Sequence, residues 1–159
     1  MRKRHTAIHE AGHAVIGRVL GLSCGGASII ANEAEDEAGH AIIHDPWATV
    51  SRWESAFRAK VEQGIVPLRC REARLAFRGT IIARVAGAEA EAVLLGVCAG
   101  GDGYDREQIE MMAESDNSEL PADLWGRYEP RMRRQARRLI RKHRSKIEQV
   151  AQALMVDRL

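Results

Sequence analysis

Apolar positions in this 159-residue chain recur mainly at helical spacing, which predicts a mainly α-helical protein. A first buried helix is expected over residues 6–22 and a longer one over residues 71–96. A third helix should run from Asp105 through Met112, and an apolar stripe after residue 122 predicts one long terminal helix. Residues 47–63 are expected to form a short helix or an ordered loop.

Two short β-like runs interrupt the helical pattern. Residues 28–31 and 38–43 flank the acidic segment 33–37, which predicts a small β-ribbon with a solvated turn after the first helix. With 45% hydrophobic residues, the chain is large enough to bury a core and too short for two ordinary domains. We therefore expect a single domain spanning residues 1–159.

Two glycines lie inside the first expected helix, at Gly12 and Gly17. Each costs up to about 1 kcal/mol relative to alanine. Their presence predicts that another part of the protein approaches this helix closely on that side.

The strongest chemical signal is the run His-Glu-Ala-Gly-His at residues 9–13 of this helix. Side chains at positions i and i+4 are separated by about 6 Å along a helix and point in similar directions, so His9 and His13 could share one zinc ion. Glu10 would then act as the general base that takes a proton from a zinc-coordinated water. The alternative is a pair of core histidines that only form hydrogen bonds. His5, about 12 Å from His13 along the axis, is a poor candidate for the same ion.

A catalytic zinc site typically takes three protein ligands and leaves a fourth position for water. A carboxylate on the rigid start of a helix is favoured as the third ligand, which narrows the choice to Asp102 and Asp105. The wider set of candidates consists of His40, His44, Glu89, Glu91, Cys98, Asp102 and Asp105.

Of the two aspartates, Asp105 stands directly before a helical pattern, whereas Asp102 lies between two glycines and suits a turn or a helix cap. Alternatively, both aspartates cap or solvate the helix and another group completes the site. Glu91 is a candidate for orienting a zinc ligand, with an ordinary solvated carboxylate as its alternative.

Basic residues crowd the terminal helix and could bind an acidic partner or phosphate groups. The alternative is a solvated face opposite the packed stripe. A net charge of only +2 and the lack of interleaved aromatic residues argue against nucleic acid as a partner. The basic positions are Arg131, Arg133, Arg134, Arg137, Arg138, Arg141, Lys142, Arg144 and Lys146.

The cellular compartment is indicated by the cysteines and by the absence of long apolar runs. Cys24, Cys70 and Cys98 are odd in number and far apart, which predicts reduced thiols and a cytoplasmic location. No run approaches the roughly 20 apolar residues of a membrane span. The charged residues after the basic start do not fit a secretory signal.

Several segments together resemble one known family. Residues 9–14, His-Glu-Ala-Gly-His-Ala, resemble the zinc motif of the peptidase domain of FtsH-type ATP-dependent membrane proteases. The region around residues 28–39 is similar to the family's short β segment, and residues 85–96 resemble its Gly-Arg-x-Ala-Glu-Glu stretch. Residues 101–113, with Asp105 leading a helix, are similar to the segment that holds the family's third zinc ligand, an aspartate. The terminal helix is similar to the family's last long helix.

The resemblance implies a zincin-like helical peptidase domain with zinc held by His9, His13 and Asp105. Its expected activity is a zinc-dependent endopeptidase that cleaves peptides or unfolded protein segments. The sequence contains no Walker loop, so we expect no ATPase activity of its own. Its expected partners are peptide or unfolded protein substrates. A homo-oligomer and a separate ATPase chain are further possible partners. The alternative function is a peptidase-like binding module that docks an ATPase or an acidic protein through the basic terminal helix.

Overall fold

Helices make up most of the described structure, as the apolar spacing predicts. The computed structural model describes residues 2–22, 24–30, 39–43, 71–98, 103–114 and 125–156. The expected element over residues 47–63 lies outside these ranges. No helix in the described ranges is long and apolar enough to cross a membrane. In chain order the elements are α1 (Arg2–Val19), β1 (Cys24–Ser28), β2 (His40–Ile43), α2 (Arg71–Leu95), α3 (Gly103–Glu114), α4 (Trp125–Lys142) and α5 (Arg144–Val156).

The core forms where α1 packs against α2. At Gly12 a β-carbon would lie 2.7 Å from the carbonyl oxygen of Ala86 and 2.8 Å from the β-carbon of Ala90. The glycines of the first helix predicted a close neighbour. At Gly12 that neighbour is the backbone of α2. Buried apolar side chains of α1 and α2 form the centre of this core, among them Ile8, Ile16, Ile81 and Val85. Side chains of the other helices extend it: Ile109, Met132, Ile140 and Ile147.

The β-ribbon is present, but its first strand lies earlier than predicted. β1 and β2 pair antiparallel, with Ala27 opposite Ala41 and Ser28 opposite His40. β1 ends at Ser28, where the Ser28 hydroxyl accepts a hydrogen bond from the Ile30 N–H, a local contact that competes with strand pairing. The sequence pattern missed the start of β1 because glycines at positions 25 and 26 have low strand propensity.

The single terminal helix predicted from the apolar stripe is divided into α4 and α5 at His143. The His143 N–H is shared between the carbonyl oxygens of Leu139 and Ile140, at 2.9 and 3.2 Å, which tightens the chain locally. The division lets α4 pack against α2 while α5 packs against α1. A straight helix of this length, roughly 45 Å, could not follow both neighbours.

A buried carboxylate joins α2 to α4. Glu89 of α2 is 3% exposed and accepts hydrogen bonds from Arg133, at 3.0 Å, and from Arg137. Arg133 also bonds Glu129 on its own helix at 2.8 Å. Two of the nine basic residues expected on the outer face of the terminal helix therefore form an ion-pair cluster between helices instead.

Candidate metal centre

The two histidines of the His-Glu-x-x-His run lie one helical turn apart on α1, and both are buried. Asp105, in the first turn of α3, faces the Nε2 atoms of both rings. Its Oδ2 atom is 3.4 Å from Nε2 of His9 and 3.1 Å from Nε2 of His13. In the described part of the chain, His9, His13 and Asp105 form a group whose potential ligand atoms lie within 4.8 Å of one another.

The Nδ1 atom of each histidine ring is hydrogen-bonded to a residue of α2. Nδ1 of His9 donates to Oε1 of Glu91 at 2.7 Å, and Nδ1 of His13 donates to the backbone carbonyl of Ala83 at 2.8 Å. A carboxylate or carbonyl oxygen can only accept, so each Nδ1 carries a proton. Both Nε2 atoms are thereby directed toward Asp105, in the tautomer that presents a lone pair to a metal.

These contacts bring electron-rich atoms together in a way that requires a cation. With protons on both Nδ1 atoms, two Nε2 lone pairs and the Asp105 carboxylate meet at 3.1 to 3.4 Å. Without a metal ion, protons supply the positive charge. Burial disfavours protonated His9, but hydrogen bonds to Asp105 and Glu91 outweigh burial and raise the pKa of His9 to about 10. Burial opposes ionisation of Asp105 too, yet the charge of His13 and bonds from both rings hold the pKa of Asp105 well below its usual range.

The spacing also suits a metal ion. Ligand atoms about 2.0–2.1 Å from a tetrahedral zinc ion lie roughly 3.3 Å from one another. The Asp105–histidine distances of 3.1 and 3.4 Å bracket that value. Two imidazole nitrogens and one carboxylate oxygen are a donor set typical of catalytic zinc sites.

Gly87 leaves space beside the ring nitrogens. A β-carbon at this position of α2 would lie 2.6 Å from Nε2 of His9 and closer still to Nε2 of His13. The backbone of α2 therefore passes the Nε2 atoms of both rings, and any side chain there would fill the volume next to them. The donor set, its spacing and this opening all fit a bound zinc ion.

Glu10, the expected general base, is buried beside this group at 6% exposure. Its negative charge contributes to raising the pKa of His9, the residue that precedes it on α1. α1 thus holds this carboxylate in a largely desolvated position, next in sequence to His9.

The other candidate ligands lie elsewhere. His5 donates to Oε2 of Glu91 at 3.0 Å and is not part of the group of three, consistent with its position along the helix. Cys98 is exposed beyond the end of α2. Glu89 faces α4. Asp102 and His44 lie outside the described residues, and of His40 only the backbone, in β2, is described.

The sequence interpretation missed three features that α2 contributes. The sequence pattern predicted no role in the site for Gly87 or Arg84, and it predicted a ligand-orienting role for Glu91 without its double contact with His5 and His9. Their positions, at 84, 87 and 91, recur at the i, i+3, i+7 spacing of one helix face. That spacing is a signal that could have located the supporting face of the site.

No protein-family model matches the chain, and no curated protein sequence matches it either.

Proposed function

We propose that the protein is a zinc-dependent endopeptidase with a zincin-like fold. The observation that carries the proposal is the convergence of two Nε2 atoms and one carboxylate oxygen within 4.8 Å, with the carboxylate oxygen 3.1 and 3.4 Å from the two nitrogens, close to the spacing of tetrahedral zinc ligands. His9, His13 and Asp105 would hold the ion. The site uses three protein ligands, which is the number that leaves a position for water or substrate.

The residues of the chain have distinct tasks in this proposal. Bound zinc would supply Lewis-acid polarisation of the peptide carbonyl and of water. Glu10, which follows His9 in sequence and is buried, would accept the proton of the attacking water and return it to the departing amine. Glu91 and the Ala83 carbonyl keep the two rings in the required tautomer and orientation.

We further propose a relationship to FtsH-type peptidase domains. Support comes from the motif at residues 9–14, the β-ribbon after α1, the stretch at residues 85–96 of α2, and the aspartate in the first turn of α3. The proposed substrates are peptides or unfolded protein segments in the cytoplasm, since no Walker loop is present in the sequence to drive unfolding. A separate ATPase chain could supply unfolded segments to the site.

The proposal is tested by metal content together with cleavage. Purified protein should contain about one zinc per chain, and His13→Ala or Asp105→Ala should lose most of it. Asp102→Ala serves as the control and should keep its zinc. Glu10→Gln should retain zinc and stability while cleavage of unfolded casein falls by about 100-fold or more. Metal analysis that finds no zinc in protein never exposed to a chelator would overturn the proposal.

A second candidate function rests on the outer face of α4. Five arginines recur there at intervals of four and three residues, all of them exposed. At about 100° and 1.5 Å per residue they form a stripe roughly 21 Å long on the side opposite the core. Within the described ranges none of the five forms an ion pair with a carboxylate. The arginine stripe consists of Arg127, Arg131, Arg134, Arg138 and Arg141.

This stripe supports a docking role toward an acidic protein surface, such as one on a separate ATPase. Binding to a polyglutamate peptide should fall steeply as salt increases and should be lost when Arg131, Arg134 and Arg138 are changed to glutamate. Zinc content should not change in that variant, because the stripe faces away from α2. Equal binding by the native and charge-reversed proteins would exclude docking through the stripe.

A further inference from the structure

Arg84 of α2 approaches the candidate metal centre from behind Asp105. Its Nη1 atom lies 3.6 Å from Oδ1 of Asp105, while Oδ2 of the same carboxylate faces both histidine rings. The two oxygens of Asp105 therefore have different neighbours. One faces a fixed positive charge, and the other faces the metal-binding nitrogens.

Burial makes this placement of an arginine costly. The Arg84 side chain is 16% exposed, and within the described part of the chain its buried Nε atom has no hydrogen-bond partner. A guanidinium withdrawn from water is strongly disfavoured unless a carboxylate compensates for it. Among the described residues, Asp105 is the carboxylate that the structure pairs with Arg84. A buried charge next to a candidate ligand indicates a role in that site.

A second geometric fact concerns the helix that carries Arg84. Ala83, Gly87 and Glu91 recur at single helical turns on one face of α2, and Arg84 lies beside them, one residue after Ala83. Ala83 and Glu91 orient the two histidines, and Gly87 makes room beside them. Arg84 contacts the remaining member of the group. Each of the three candidate ligands is thus contacted by a residue of α2.

We propose that Arg84 is a positioning residue that engages Oδ1 of Asp105, so that the carboxylate offers only Oδ2 to the metal. An unrestrained carboxylate can bind a cation through one or both oxygens. Restriction to a single oxygen keeps a coordination position free for water and substrate, as a catalytic zinc site requires. This inference rests on the proposed metallopeptidase function and adds a residue to it.

The test uses Co²⁺ in place of zinc, because its visible spectrum reports coordination number. Wild-type protein should give the intense absorption of four-coordinate Co²⁺. In Arg84→Met the absorption should lose intensity and its maximum should move to shorter wavelength, as a second carboxylate oxygen joins the ion. Arg78→Met, a change on the same helix about two turns away, is the matched control and should keep the wild-type spectrum. Circular dichroism verifies folding, and Arg84→Gln provides the same comparison if Arg84→Met does not fold.

The outcomes separate this inference from the proposed function. If the native protein binds Co²⁺ and the spectra of both Arg84 variants match it, the positioning role is wrong and the metallopeptidase proposal stands. A variant with a native spectrum but slower peptide cleavage also overturns the inference, because Arg84 would then act on the substrate. If the native protein binds neither Co²⁺ nor zinc, the proposed metallopeptidase function is wrong, and the positioning role of Arg84 is wrong with it.

Discussion

Gly87 contributes to the candidate site through the absence of a side chain. The residue lies where α2 passes the Nε2 atoms of His9 and His13, and a β-carbon would stand 2.6 Å from the first of them. Protein interiors tolerate few contacts of that kind without displacement of neighbours. At the scale of single residues, the volume of the candidate metal centre thus depends on a glycine as much as on the candidate ligands.

We predict that Gly87→Ala lowers zinc affinity by at least about tenfold, a loss typical of displaced groups around a metal site. The added methyl group occupies space that the ring nitrogens and the ion share. Zinc titration against a competing chelator measures the effect. Gly79→Ala is the matched control on the same helix, since its β-carbon would lie 3.8 Å from Leu20 and 3.9 Å from Leu22, ordinary van der Waals distances. Native affinity in Gly87→Ala would show that the ion binds on another side of the rings.

At the scale of elements, the contact between α1 and α2 determines how accurately the site is built. α1 carries two candidate ligands and α2 carries the groups that orient them. Gly12, between the two histidines in sequence, allows the backbones of the helices to approach at Ala86. A larger residue at this position would move the histidines away from Glu91 and Ala83.

Gly12→Ala should therefore destabilise the protein by about 1–3 kcal/mol, the usual cost of overpacking a close contact. Alanine is otherwise favoured over glycine within a helix, so a loss of stability would identify the tertiary clash as its cause. Urea unfolding gives the free energy of unfolding. Gly126→Ala, in α4 and with nothing within 4 Å of the added carbon, is the control and should be neutral or slightly stabilising. Stabilisation by Gly12→Ala would contradict the close packing of α1 on α2.

At the scale of the whole molecule, charges from three helices meet in one buried place. α1 supplies His9 and His13, α2 supplies Glu91 and Arg84, and α3 supplies Asp105. Without a metal ion, protonated histidine balances the carboxylates and joins these elements electrostatically. The stability of the metal-free protein should consequently depend on pH.

The direction of this dependence follows from the pKa of His9, which folding raises from 6.5 to about 10. A raised pKa means that protonated His9 stabilises the folded metal-free protein. This contribution is complete below pH 6.5 and is lost as the pH rises through about 10. Urea unfolding of metal-free wild-type protein and of His9→Gln should therefore show a stability difference that shrinks toward high pH. A difference that grows with pH would contradict the assigned contacts of His9.

Metal binding should show the reverse dependence on pH over the same range. Zinc must displace the proton from His9, so zinc affinity should increase as the pH rises from 6.5 toward about 10.

Local sequence pattern was sufficient for the features that depend on neighbours within a few turns. The periodicity predicts α1, α2 and α3 to within a few residues, and the i, i+4 spacing places His9 and His13 on one face. The motif also identifies Glu10 by its position beside His9. The apolar stripe predicts helices at the end of the chain, but no local signal showed that they divide at His143, because that break follows from packing on two different partners.

The sequence analysis selected Asp105 and Glu91 as candidates, but only the tertiary structure decided that these distant groups lie at His9 and His13. Glu91 is 82 positions from His9 and Asp105 is 96, so no periodicity connects them. The placement of Glu91 depends on how closely α1 approaches α2, which follows from small side-chain volume at positions such as Gly12. The placement of Asp105 depends on where α3 begins. The same holds for Arg84 and Gly87, whose roles exist only because the face of α2 that carries them is packed against the histidines. Sequence by itself determined the residues able to bind a metal, and packing determined which of them meet.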